Sequence, residues 1–257
     1  MDGATLVEFS PVDLKFKRDF RILCSGPSGS GKTTFVLNIL RHRTETFGGQ
    51  DFDHVFWCVS DLSSVPENLA KVVPNVKIER GLAFLPKIPT NSLCIFDDVI
   101  SKIYDSEAFL DLAVRRSSHS RISYILLSQN LFFPSRYART INLSMTYLCL
   151  FQFLRDASTY ETLCRQIGCR NYRDLHNALT SHLNERPFNC FIIDSHQTTP
   201  SFLRFRSIRF LTEKEAEEEN CGNRVQHTVF LTESALDRLC SSGGSGNSSI
   251  AALLRNE

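Results

Sequence analysis

No apolar run in this chain of 257 residues approaches the roughly 20 positions that a membrane-crossing helix needs. The opening Met1-Asp2-Gly3-Ala4 is acidic and polar, without the basic and apolar parts of a secretion signal. The expectation is a soluble, intracellular protein with no membrane segment. The nine cysteines include no paired set at zinc spacing, Cys164 and Cys169 among them, so no structural metal is expected. Cys24, Cys58, Cys94 and Cys149 lie instead in apolar strand-like runs, as small buried thiols do in a reducing compartment. Tryptophan occurs once, and Trp57 reads as a sheet aromatic rather than a partner for a base. No internal repeat is visible. Net charge is also nearly absent, at +1, although its distribution is uneven. Between Arg115 and Arg173 lie seven further arginines against only Asp156 and Glu161, whereas Glu213, Glu215, Glu217, Glu218 and Glu219 form an acidic run. A basic middle suits phosphate or nucleic acid, while scattered arginines more often mark a solvated helical face.

What is present begins with residues 26–33, Gly26-Pro27-Ser28-Gly29-Ser30-Gly31-Lys32-Thr33, a full match to G-x-x-x-x-G-K-[ST], with Thr34 directly behind. The pattern arises by chance in about one chain in a hundred of this length. Its context is more demanding, because an apolar run at 20–24 precedes it and Val36, Ile39 and Leu40 follow on one helical face. Glycines let successive N–H groups turn toward phosphate oxygens, and the helix start adds its positive end. Lys32 is expected to reach the β- and γ-phosphates and Thr33 to take one magnesium position, so the chain is read as binding a nucleoside triphosphate with Mg2+.

Short β-rich runs at 20–24, 54–60, 93–96, 122–127, 145–151 and 188–193 alternate with helical patterns at 32–41, 106–116, 158–167 and 172–183. That alternation predicts an α/β fold with a central, mainly parallel sheet covered on both faces. Closing strands are expected at 202–210 and 229–231, and Thr212-Glu213-Lys214-Glu215 spells a helix capping box. The expected division is a P-loop ATPase domain over 1–210 and an acidic extension over 211–257, ending in a flexible Ser/Gly-rich tail.

Asp97 and Asp98 follow the run at 93–96, at the carboxyl end of a buried strand, where open α/β sheets place ligands. In a triphosphate hydrolase Asp97 would hold the magnesium and Asp98 would orient the attacking water, although many such enzymes carry glutamate at the second place. The next strand ends in Ser128-Gln129-Asn130, and Gln129 is positioned to sense the γ-phosphate or the water. A kinase would use the same loop, yet neither an acceptor pocket nor a lid is identifiable. The extra strand between loop and acids favours the three-layer arrangement in which the acid strand is separated from the loop strand.

Several further segments carry a resemblance. Arg116-Ser117-Ser118-His119-Ser120-Arg121, Leu127-Ser128-Gln129-Asn130-Leu131-Phe132 and Arg139-Thr140-Ile141-Asn142-Leu143 resemble the genome-packaging ATPases of Polinton or Maverick elements and adintoviruses. Phe153-Leu154-Arg155-Asp156-Ala157, Asp194-Ser195-His196-Gln197-Thr198-Thr199-Pro200 and Leu203-Arg204-Phe205-Arg206 extend it, over roughly residues 20–207. These proteins are related to poxvirus-type packaging ATPases within the FtsK/HerA group of RecA-like DNA-pumping motors. Ser117 and Ser120 depart from the glycine and second histidine expected there, and His119 reads as a structural histidine. The resemblance implies ATP as fuel, double-stranded DNA and capsid or portal proteins as partners, and a homo-oligomeric ring of five or six subunits. It also implies an arginine acting on the neighbouring subunit's site. By position ahead of the Gln129 strand Arg116 is the first choice, with Arg121, Arg139 and Arg155 as alternatives. Work would take place in the host nucleus, at a cytoplasmic assembly site or in the virion. Phe132, Phe133 and Tyr137, interleaved with Arg136 and Arg139, suit either DNA contact or ordinary packing. A helicase or segregation pump, a nucleotide-dependent capsid assembly module and, least favoured, a small-molecule kinase are the competing readings.

Overall fold

The computed structural model describes residues 6–8, 14–48, 51–153, 157–167, 172–218 and 224–230. Its strands are β1 (Leu6–Glu8), β2 (Arg21–Ser25), β3 (His54–Val59), β4 (Lys77–Arg80), β5 (Ser92–Asp97), β6 (Ser123–Ser128), β7 (Tyr147–Phe151), β8 (Cys190–Asp194), β9 (Phe205–Phe210) and β10 (Val225–Phe230). Among the described residues they form one sheet in the order β1-β10-β9-β8-β7-β2-β6-β5-β3-β4. The half from β7 to β4 is parallel, and β8, β9, β10 and β1 continue it in antiparallel sense.

Strands as apolar as Leu93-Cys94-Ile95-Phe96 need cover on both faces. Side chains alternate accordingly: Leu93 and Ile95 enter one core layer, Cys94 and Phe96 the other. The first layer is closed by α1 (Lys32–Arg41), whose Phe35, Val36, Leu37, Ile39 and Leu40 are buried against it. The second is closed by the helical segment at 107–119 through Phe109, Leu112 and Ala113, and by the helix Tyr172–Glu185 through Leu175, Leu179 and Leu183. Each of the valine, leucine, isoleucine and phenylalanine side chains contributes about 1.5–3 kcal/mol on burial, so the layers hold the sheet ends rigidly where loops emerge. Trp57 is fully buried in the α1 layer, as its reading as a sheet aromatic expects. This is an α/β P-loop fold with a mainly parallel central sheet. β6 lies between β2 and β5, so the acid strand is separated from the loop strand. Among the described residues no helix is long and apolar enough to cross a membrane.

Two sequence expectations need adjustment. The strand expected at 188–193 begins at Cys190, because Arg186 to Asn189 form a turn with Phe188 at φ 65°. The extension drawn from residue 211 is continuous with the core over 225–230, since β10 pairs with β9 from Val225↔Phe210 to Val229↔Arg206. The capping box, by contrast, forms as expected, with Glu215 N–H donating to Thr212 Oγ1 at 3.3 Å and Thr212 N–H to Glu215 Oε2 at 2.8 Å, and it starts a short helix, Glu213–Glu218, that buries none of its residues. The Ser/Gly-rich tail, Arg155, Arg170 and Cys169 lie outside the described residues.

The antiparallel half has its own buried polar anchor. Asp194, 2% exposed, accepts from Arg206 Nη1 at 2.8 Å, His196 N–H at 2.9 Å and Thr199 Oγ1 at 3.1 Å. Lys17 Nζ donates to the hydroxyls of Thr198 and Thr199, both at 2.8 Å. The Asp194-to-Pro200 segment is thereby tied at the end of the sheet opposite the phosphate loop, because Asp194 pairs with the first residue of β7.

Candidate nucleotide site

Register brings the chemistry together. Ser25 pairs with Ser128, Val59 with Asp97, and Asp97 with Leu127, so the carboxyl ends of β2, β3, β5 and β6 are level. The loops leaving these ends meet in a cleft of about 1010 Å3, lined among others by Lys32, Thr33, Asp97, Asp98 and Gln129.

The loop at 26–33 has the shape its spelling predicts. Gly31 caps α1 at φ 94°, a conformation that disfavours any side chain. A Cβ at Gly26 would come within 2.7 Å of both Phe151 Cβ and Ser30 Oγ, so only glycine lets the strand turn into the loop there. Gly26 N–H donates to Ser128 O at 3.1 Å, which fastens the loop to the Gln129 strand. The first N–H groups of α1 have no intrahelical acceptor and face the cradle. Ser30 Oγ is buried there and has no partner among the described residues, an orphaned donor suited to an anion.

Lys32 Nζ donates to Gly26 O at 2.6 Å and Pro27 O at 2.8 Å. Its ammonium therefore closes over the loop, where phosphate oxygens would compete with those carbonyls. Burial lowers its pKa from the ordinary lysine value, and the nearby Asp97 carboxylate opposes that shift. Asp97 is raised above the ordinary carboxylate value, first by burial; the Thr33 hydroxyl, donating at 3.4 Å, opposes the rise, Asp98 reinforces it, and Lys32 opposes it. Two opposite charges this near would normally favour each other's ionised forms; desolvation outweighs attraction at both.

Asp98 adopts φ 57°, a left-handed conformation that aspartate tolerates better than most residues. Its Oδ2 accepts from Ser60 Oγ at 3.1 Å, and Ser60 follows the end of β3. Sequence reasoning passed over Ser60; knowing that β3 is the neighbour of β5 would have pointed to it. Gln129 is exposed on the cleft wall just beyond β6.

Arg116 is not brought into this cleft. Its Nη1 donates to Leu85 O at 2.6 Å and Nη2 to Ile88 O at 3.1 Å, which clamps the helical segment 107–119 to the entry of β5. Its position follows a π-helical turn at Leu112–Arg116. Arg121 sits two residues before β6, exposed, at φ 52° and near the Asp19 carboxylate. Six strand residues separate it from Gln129, about 20 Å at the usual rise. His119 and Arg139 are exposed. Of the aromatic and basic stretch after Gln129, Phe133 lines the cleft, Phe132 is exposed, and Arg136 covers the Tyr137 ring at 4.9 Å.

No protein-family model matches the chain. The DNA packaging protein OPG160 of Vaccinia virus, strain Copenhagen, is 26% identical over 187 residues, 67% of this chain and 67% of that protein, and the Western Reserve strain's OPG160 matches equally. This chain is similar to viral DNA-packaging proteins. Among solved structures, B204, the DNA-packaging ATPase from Sulfolobus Turreted Icosahedral Virus, aligns with a TM-score of 0.49 and 14% identity over 72% of this chain and 96% of that one. A KaiC-like protein from Pyrococcus horikoshii OT3 aligns at 0.41 and 11% identity over 75% and 87%.

Proposed function

We propose that this chain is an ATP-hydrolysing motor that drives double-stranded DNA into a viral or virus-like capsid, of the Polinton and adintovirus type within the FtsK/HerA group. The observation that carries this reading is the convergence of Lys32, Thr33, Asp97, Asp98 and Gln129 on one cleft, in a chain similar to a poxviral DNA packaging protein.

In this reading the loop from Gly26 to Thr34 cradles the phosphates, Lys32 balances their charge, and the α1 N-terminus adds its dipole. The Thr33 hydroxyl and the Asp97 carboxylate form a hard-oxygen pair whose shared hydrogen bond is long at 3.4 Å, and a buried carboxylate of raised pKa suits a cation; these residues would hold Mg2+. Bound magnesium supplies charge neutralisation on the β- and γ-phosphates. Asp98, steadied by Ser60, orients and polarises the attacking water, and Gln129 senses the γ-phosphate and transmits its loss through β6. Ring subunits pack head to tail, so the end of one sheet meets the cleft of the next. The arginine acting in trans is assigned to Arg121 rather than Arg116, because the Arg116 guanidinium is already committed to two backbone carbonyls. DNA phosphates are gripped without sequence preference, and capsid or portal proteins anchor the ring.

Purified protein is expected to hydrolyse ATP several-fold faster with long duplex DNA, and Lys32→Ala to remove both basal and stimulated turnover. Raising salt from 50 to 200 mM should erase the stimulation. Turnover indifferent to DNA at low salt, in an assembled oligomer, would sink the motor reading and leave a capsid assembly module.

A further inference from the structure

Beyond its phosphate end, the cleft continues into a half that no recognised motif covers. Asn38 lines it one helical turn past Thr34, about 6 Å along α1, and Phe188 and Phe210 form its far walls. Phe210 is fixed, meeting Phe35 edge-on with centroids 5.8 Å apart and stacking on His42 at 5.6 Å.

Phe188 is held differently. Asn189 N–H closes back on Arg186 O at 3.5 Å and Asn189 Nδ2 donates to His182 O at 2.8 Å, so Arg186 to Asn189 make a pinned tight turn. Pro187 precedes a residue of positive φ, the pattern of a type II turn, in which glycine is the favoured third residue. Here that place carries a phenylalanine at φ 65° that is 69% exposed. Backbone strain and an apolar ring in water are both unfavourable, and together at a cleft they point to use by a ligand. The ring also rests on the phosphate loop, since a Cβ at Gly31 would meet Phe188 Cδ1 at 3.1 Å and its Cβ at 3.2 Å.

Two acceptors on this wall are already engaged by the protein's own donors. Glu215 Oε1 accepts from Arg209 and Oε2 from Thr212, and Asn38 Oδ1 accepts from Arg41 Nη1 at 2.9 Å. With these acceptors engaged, the exposed Phe188 ring is the prominent surface this wall offers to a base.

We propose that Phe188 is the stacking platform for the nucleotide base, and that the site takes purine nucleoside triphosphates by ring face rather than by base edge. This rests on the nucleotide reading of the phosphate loop. It adds that GTP enters the site almost as well as ATP.

Equilibrium binding of ATP, GTP and inorganic tripolyphosphate, each with Mg2+, to the full chain tests it. Phe188→Ala is expected to weaken ATP and GTP about tenfold, in the range of base stacking, and to leave tripolyphosphate within about twofold. Phe188→Trp should retain wild-type affinity and change its fluorescence when ATP binds. Phe188→Gly, suited to the left-handed backbone, should bind ATP as weakly as Phe188→Ala while melting no lower than wild type. ATP binding to Phe188→Ala within about twofold of wild type, an equal loss of tripolyphosphate, or wild-type preference for ATP over GTP beyond about fiftyfold would overturn the proposal alone. Wild-type protein that binds neither nucleotide nor tripolyphosphate would overturn the nucleotide reading with it.

Discussion

Asp97, the proposed magnesium ligand, shows how a residue placed for binding can work against the fold that carries it. Its folded pKa lies above the unfolded value of 3.8, chiefly through burial, so the protonated form is the one that folding favours. That contribution is present below the unfolded pKa and lost as pH rises through the folded one; at neutral pH the ionised carboxylate is a net cost, relieved when a cation binds. Asp97→Asn keeps the shape and removes the charge. It is expected to raise the melting temperature of the nucleotide-free protein by about 2–4 °C, roughly 1 kcal/mol in a chain of this size, while hydrolysis is lost. Calorimetry at pH 7 and near pH 4 checks the cause, because the gain should shrink as the wild-type carboxylate protonates. A lower melting temperature at pH 7 would mean that the Thr33 and Lys32 contacts outweigh desolvation.

At the scale of elements, the parallel half was legible and the antiparallel half only partly. Apolar runs marked β2, β3, β5 and β6, and the glycine loop after β2, the acid pair after β5 and the Ser128-Gln129 step after β6 put the loop, Asp97, Asp98 and Gln129 at strand ends. β4 was missed because Lys77-Ile78-Glu79-Arg80 is a mostly polar edge strand, and Phe188 was absorbed into a strand because turn geometry at a non-glycine residue leaves no trace in hydrophobicity. Ser60 and the two carbonyls gripping Arg116 are long-range pairings that depend on strand order. β10 makes the antiparallel half testable. His227, on its buried side, has neither ring nitrogen partnered among the described residues, and burial, reinforced by the charge of Arg206, lowers its pKa from 6.5 to about 4. A depressed histidine leaves stability full above the unfolded pKa and lost as pH falls toward the folded one. Stability should therefore decline between pH 6.5 and about 4, by roughly 3 kcal/mol from this residue. In urea titrations across that range His227→Phe should flatten the decline; an unchanged slope would place the acid sensitivity elsewhere.

For the whole molecule, the two ends of the sheet differ: the candidate nucleotide cleft lies at the carboxyl ends, and at the other Arg18, Arg21 and Arg121 are gathered around Asp19. A head-to-tail ring brings such ends together once per interface, and an arginine supplied across it stabilises charge developing on the transferred phosphoryl group. Arg121→Ala is then expected to lower DNA-stimulated turnover about 10³-fold while folding normally, since its side chain is exposed. Arg116→Ala should do the reverse, losing about 1–2 kcal/mol of stability by orphaning the Leu85 and Ile88 carbonyls and keeping turnover in the folded fraction. Mixing Arg121→Ala with Lys32→Ala subunits separates action within a subunit from action between subunits. Where an intact loop faces an intact arginine, a working site is rebuilt, so an equimolar mixture of independent sites should recover about a quarter of wild-type turnover. No recovery, with ring size confirmed by light scattering, would remove Arg121 from that role and direct attention to Arg139. Folded Arg116→Ala protein that has lost turnover and regains it on mixing with Lys32→Ala subunits would instead show that the clamp on Leu85 and Ile88 opens during the cycle.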